Sequence, residues 1–176
     1  NDNPGTMVLE EHPTMENVVI RGVSIERSQA RVTITGIPDE PGMSAKILCT
    51  LGDAEINIDM IVSNIASDGY ARHSFTMHSN DLGRAQAALK PVLAEVGPDA
   101  QIETEAGIAK LSSVGIGMRS HSGVAATMFR ALGEAGINIG MISTSEIKIA
   151  VTVDETRIED AARAVHDAFG LDKAPA

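Results

Sequence analysis

Two glycines, Gly42 and Gly123, stand where turn-rich loops give way to apolar helical patterns. The first amides of a helix lack intrahelical acceptors and sit at the positive end of its dipole, so a glycine at that junction lets an anion approach the backbone. A carboxylate suits such a place. Asp39, three residues before Gly42, offers a negative charge to an ammonium group, and Asn57 and Asn138, just after the two helical patterns, each offer a donor and an acceptor. Together these groups suit a free α-amino acid. Arg119 and His121 add positive charge to the second loop, able to attract an anion. Catalytic chemistry finds no comparable constellation: the sequence has no GxxxxGK[ST], HExxH, CxxC or GxSxG pattern. His12, His73, His78, His121 and His166 lack metal-ligand spacing and read as satisfied or exposed side chains, and Gly115-Ile116-Gly117 lacks the third glycine of a dinucleotide fingerprint. The expectation is no catalytic residue, no metal and no cofactor.

The elements that must position these groups come from an internal repeat. Residues 30–64 recur as residues 109–145, with two more residues in the second copy's loop. Gly42 matches Gly123, Ile47 matches Met128, Leu51 matches Leu132, Asn57 matches Asn138 and Met60 matches Met141. Each copy predicts a short strand (Val32 and Ile34; Leu111 and Val114) that ends at Gly36 or Gly115, then a loop, then a helix. Met43, Ile47, Leu51 and Ala54 share one helix face, as do Val124, Met128, Leu132 and Ala135. Cys49, inside the first helical pattern, reads as a small buried hydrophobe. Strands follow over residues 56–65 and 137–143, pairing with 70–77 and 146–153, the first pair through a Ser67-Asp68-Gly69 turn. Second helices are expected from about Asp81 to Val96, kinked or interrupted at Pro91, and from about Glu155 to Phe169, opened by a Thr156/Glu159 capping box and closed by Gly170.

A fourth strand at about 101–105 completes βαββαβ in the first copy, whereas the second copy has no such strand after Gly170. Residues 18–23 can supply that edge, which would otherwise be an association hazard. The expected fold is therefore α+β: two ferredoxin-like βαββαβ modules, interleaved, with antiparallel sheets and helices on one face. Residues 1–16 read as a linker, 30–106 as the first module, and 17–25 plus 107–170 as the second.

Composition bounds the partners. With 14 basic and 24 acidic residues among 176, the formal charge of −10 repels nucleic acid and anionic lipid, and 2% aromatic content leaves little for base stacking. No apolar run approaches the roughly 18 residues of a spanning helix. The chain opens at Asn1 with no signal pattern, which reads as a fragment or a processed chain, and its one cysteine fits a reducing cytoplasm.

The runs Ile37-Pro38-Asp39-Glu40-Pro41-Gly42, Ile56-Asn57-Ile58-Asp59-Met60, Gly117-Met118-Arg119-Ser120-His121 and Ile142-Ser143-Thr144-Ser145-Glu146-Ile147 closely resemble the tandem ACT region of aspartokinases, over about residues 17–170. The segment at residues 1–8 resembles the end of the family's kinase domain. The resemblance implies a regulatory region or small subunit that does no chemistry itself. Its modules would bind lysine, threonine or both at a homodimer interface formed by the ACT sheets. Bound effector would feed back on the phosphorylation of aspartate by ATP in the parent enzyme's catalytic domain. Carried over residue by residue, Asp39, Gly42, Met43 and Ser44 frame one effector with the partner's second-module asparagine segment, which in this numbering is Asn138 and Ile139. Met118, Ser120, His121 and Gly123 frame another with the segment Asn57, Ile58 and Asp59, and Ser63, Asn64, Ser74, Thr144 and Ser145 match positions near these sites. Relatives often carry Gln at the place of Ser63, HPG where this chain has His121-Ser122-Gly123, and NIE where it has Asn138-Ile139-Gly140. Those departures leave the choice of effector open. The alternative is a ligand-free ACT-type dimerisation module of an amino-acid biosynthetic enzyme.

Overall fold

In a computed structural model, which describes residues 20–65, 69–115 and 123–172, two long antiparallel strands organise the chain. They are β1 (Gly22–Pro38) and β4 (Gln101–Val114). Gly22 to Glu26 pair with Val114 to Lys110, and after a register shift Ala30 to Thr35 pair with Ala106 to Gln101. Ser28 (φ 55°) and Gly107 (φ 73°) turn the backbone at that shift, as a bulge requires. The remaining strands, β2 (Ile61–Ile65), β3 (Tyr70–His78), β5 (Ile142–Thr144) and β6 (Lys148–Asp154), complete one six-stranded sheet in the order β2-β3-β1-β4-β6-β5, antiparallel throughout.

Each half of that sheet has the ferredoxin-like order. In the first, β2 and β3 flank the later part of β1 and the early part of β4; in the second, β5 and β6 flank the later part of β4 and the early part of β1. The modules are interleaved, and the helices pack on one face. α1 (Met43–Asp53) and α2 (Leu82–Val96) close the first core over Val32, Ile34, Phe75 and Met77, while α3 (Val124–Glu134) and α4 (Ile158–Ala168) close the second over Leu111, Ile149, Val151 and Val153. The expected stripes are the buried ones: Ile47 and Leu51, and Val124, Met128 and Leu132, are buried, with Met43, Ala54 and Ala135 packed at the margins.

The structure departs from the sequence reading in particular places. The short strands expected around Val32–Ile34, residues 101–105 and Leu111–Val114 merge into two continuous ones, because the β1–β4 ladder runs nearly the whole length of both, with β3 added along the later part of β1 and β6 along the later part of β4. The edge strand placed at 18–23 begins at Gly22, although the Arg21 N–H already donates to the Val114 carbonyl at 2.8 Å. Val18, Val19 and most of the Ser67-Asp68-Gly69 turn lie outside the described residues. Strands expected over 56–65 and 137–143 shorten to β2 and β5. α2 runs through Pro91 uninterrupted, since Pro91 and Ala87, whose carbonyl it leaves unbonded, are both exposed and water can serve that carbonyl. Cys49 is exposed, not buried, because it lies two residues, about 200°, around the helix from Ile47. The cap before α4 is made not by Thr156 but by Asp154, whose carboxylate accepts from the Thr156 N–H at 2.8 Å, while Glu159 pairs with Arg27.

The two helix exits repeat one device. Ile56 N–H donates to Leu51 carbonyl at 3.0 Å and Ile137 N–H to Leu132 carbonyl at 2.9 Å, with Glu55 (φ 55°) and Gly136 (φ 64°) in the left-handed position between. Only the second copy uses glycine there. Glu55→Gly should therefore raise stability by a few tenths to about 1 kcal/mol, and Gly136→Ala should lower it by about 1 kcal/mol. Urea denaturation of both variants checks this, and the same sign for both would contradict it.

Candidate small-molecule site

The first loop leaves β1 at Pro38 and enters α1 through Gly42. Asp39 is exposed, and its N–H donates to the Gly69 carbonyl at 3.2 Å, which fixes the loop to the start of β3. Gly42 takes φ 96° and gives α1 no side-chain cap; the Met43 N–H donates to the Glu40 carbonyl at 3.3 Å, and the amides that follow it in the first turn have no side-chain acceptor. Gly123, at φ 108° before α3, repeats this geometry. Met118, Ser120 and His121 lie outside the described residues. Ser44, in the first turn of α1, bonds His73 Nε2 at 2.9 Å.

The segments that follow α1 and α3 fold over the other face of the sheet in matching ways. Asp59 N–H donates to Thr76 carbonyl at 3.1 Å and Gly140 N–H to Thr152 carbonyl at 2.8 Å; Met60 and Met141 N–H groups donate to the hydroxyls of the same threonines at 3.1 and 2.8 Å. Thr76 and Thr152 are thereby satisfied where they are buried. Met60 and Met141 meet over Ala150 in a small apolar cluster of their own. Asn57 and Asn138 stay exposed, and Ile58 and Ile139 pack back against the first and second cores.

Not all of the expected residues are at the disposal of a ligand. Asp59 forms a salt bridge with Lys110, which also binds Glu26 at 2.8 Å; the lysine side chain is only 3% exposed. Ser145 forms the β5–β6 turn, its N–H donating to Lys148 carbonyl at 2.7 Å. Ser74 shares a 3.0 Å hydrogen bond with Thr33, while Ser63, Asn64 and Thr144 are exposed on edge strands β2 and β5. Asn138 opens on a cleft of about 400 Å³ with Glu105, Gly140, Thr152, Asp154 and Arg157 among its lining residues. That volume is within the range of small-molecule sites.

Sequence reasoning missed Lys110 and His73. The signal for Lys110 was available in the repeat: Arg31 and Lys110 are equivalent, and each faces an acidic residue across the β1–β4 pair, Arg31 with Glu105 at 2.6 Å and Lys110 with Glu26. The third member differs. Asp59 completes the cluster at Lys110, whereas its counterpart near Arg31 is Gly140, where an added Cβ would come within 3.5 Å of the arginine and 2.8 Å of Thr152 Oγ1.

The comparisons agree with this architecture. The ACT domain family matches residues 30–97 and again residues 111–169. An aspartate kinase of Stutzerimonas stutzeri is 47% identical over 176 residues, covering 99% of this chain and 42% of its own length, so the chain spans less than half of that relative. The regulatory subunit of aspartate kinase from Thermus thermophilus in its ligand-free form superposes with a TM-score of 0.80 at 38% identity, covering 86% of this chain and 99% of that one. Escherichia coli aspartokinase III in complex with lysine and aspartate shares the fold, with a TM-score of 0.64 at 21% identity over 86% of this chain and 33% of that one. No helix among the described residues is long and apolar enough to cross a membrane.

Burial disfavours the Lys110 ammonium, but the hydrogen bonds it donates to Asp59 and then Glu26, with the charges of both, outweigh it and hold the pKa above the usual lysine value. A raised folded pKa contributes stability that is complete below the unfolded value of 10.5 and is lost as pH rises through the folded one. The difference in melting temperature between the wild type and Lys110→Met should thus be constant from about pH 7 to about pH 10 and shift against the wild type above that. Thermal denaturation across this range checks it; a shift already complete near pH 8 would contradict the assignment.

Proposed function

We propose, for a chain that belongs to the ACT-domain regulatory regions of aspartate kinases, that it binds lysine, threonine or both and so feeds back on the ATP-dependent phosphorylation of aspartate by the catalytic domain. The observation that carries the reading is the loop from Asp39 to Ser44. An exposed carboxylate for an α-ammonium and an uncapped helix N-terminus for an α-carboxylate stand there three residues apart. The lysine complex of the Escherichia coli relative supports lysine as a candidate effector.

The second half of each site comes, in this reading, from the asparagine segment of another copy. Edge strands β2 and β5 support such pairing, because they close the two ends of the sheet and expose Ile61, Val62, Ile65 and Ile142. We assign residues 30–106 to the first module, 17–25 plus 107–170 to the second, and 1–16 to a linker from the kinase domain, in a cytoplasmic enzyme. Bound effector acts by its differential affinity for the two arrangements of the dimer.

Calorimetry of the chain with lysine and with threonine should give saturable heat for at least one of them and a higher melting temperature. Asp39→Ala should weaken that binding by roughly ten- to a hundredfold, the usual cost of a lost charged hydrogen bond. No heat and no thermal shift at millimolar concentrations of either would leave the dimerisation module as the better reading. Sedimentation equilibrium should give twice the 18.5 kDa chain mass; a monomer at all concentrations would overturn the shared-site arrangement.

A further inference from the structure

We propose that His73 is a positioning residue of the first effector loop: from within the core, its Nε2 holds Ser44 Oγ and aims the serine hydroxyl at a carboxylate on the first turn of α1. The inference rests on the effector-binding reading above and narrows it to one hydrogen bond. His73 lies on the helix-covered face of β3 between Ala71 and Phe75, opposite Ile34 on β1 and Ser63 on β2, and is 6% exposed. Its Nε2 lies 2.9 Å from Ser44 Oγ, and its Nδ1 has no hydrogen-bond partner. A buried polar atom without a partner is uncommon and asks for a reason.

The repeat supplies an internal control. The position of Ser44 in the second module is Ala125, and that of His73 is Ile149, which is 4% exposed in the second core. The same backbone therefore folds with an apolar pair, and the serine–histidine pair is not needed to build the module. Both polar partners occur together, and they occur beneath the loop that carries Asp39.

On this proposal the proton of a neutral ring sits on Nε2. The imidazole pKa is lowered by its burial, against a smaller opposing effect of the Arg72 backbone, so the ring is neutral near pH 7. With the proton on Nε2, the ring donates to Ser44 Oγ, and the hydroxyl hydrogen is left to donate outward beside the helix amides. That tautomer leaves Nδ1 as a bare lone pair, which is tolerated in a core more readily than an orphaned N–H. Ser44 itself is exposed, so its hydroxyl sits between the buried ring and the place where the ligand carboxylate would lie.

The test titrates lysine and threonine separately into the full chain and into His73→Ile, Ser44→Ala, the double variant and His73→Gln, which keeps a donor near the Nε2 position. At the site that Asp39→Ala weakens, each single substitution should cost roughly five- to tenfold in affinity and the double no more than either, with Gln restoring most of it. The unliganded melting temperature of His73→Ile should be equal to or above that of the wild type. Wild-type affinity in His73→Ile, additive losses, or a loss that only tracks a fall in melting temperature would overturn the proposal. So would imidazole ¹⁵N shifts that place the proton on Nδ1. If the wild type binds neither amino acid, the effector reading fails and this inference with it; if the wild type binds and the variants bind equally, this inference fails by itself.

Discussion

The antiparallel pairing of β1 with β4 is the constraint from which the rest of the sheet takes its position. Each strand serves as a first strand in one module and as the closing edge of the other: the early part of β4 closes the first module, and the second takes its closing edge from the start of β1, far from it in sequence. The shift at Ser28 and Gly107 matters for the same reason: it divides one long ladder into two registers, and each register aligns its own set of apolar residues with its own pair of helices. Separating the modules would expose two unpaired strand edges at once. The two modules are therefore joined by a continuous hydrogen-bonded ladder.

The face of the sheet away from the helices carries the second layer of coupling. Lys110, from the second module's first strand, binds Glu26 across the β1–β4 pair and Asp59 from the first module. A cluster of this kind, with a buried lysine and two partly exposed carboxylates, contributes less to stability than its contacts suggest, because the desolvation of the lysine offsets much of the attraction. Its greater consequence is positional. Asp59 is held against the seam and is turned from an available carboxylate into a structural one, so the segment from Asn57 to Asp59 presents its asparagine and its backbone. At Gly140 the corresponding anchor is missing, Arg31 is left with Glu105, and the cleft beside Asn138 stays open. The two asparagine segments of this chain thus differ in charge and in room, although their backbones follow the same hydrogen-bond plan.

Much of this was legible in the sequence because the repeat reports packing twice. Ile47 with Met128 and Leu51 with Leu132 mark the buried helix faces, and the missing last strand after Gly170 signalled that the second module must borrow one. Strand lengths were not legible. Residues 56–60 and 137–141 alternate as strands do, yet there the backbone leaves the ladder so that Met60 and Met141 can reach across the sheet to each other, a long-range contact that no local pattern encodes. The cap at Asp154 was hidden because Thr156 and Glu159 have the right spacing for a capping box, and the short helical turn before α4 moves the cap two residues earlier.

Residues that carry coupling were the least legible, and the reason is general. Lys110 and His73 look unremarkable in type and spacing, since a lysine in an alternating strand belongs on a solvated face and a lone histidine most often does too. Their environments are set by partners 51 and 29 residues away in sequence, Asp59 and Ser44. The repeat nevertheless makes such positions findable after the fact. Where a duplicated fold keeps its core and its backbone bonds but changes a matched pair of side chains together, as Ser44 and His73 replace Ala125 and Ile149, the packing requirement is already met by the other copy. What distinguishes the pair must then act on something outside the core, and the nearest surface is the turn where the chain enters α1.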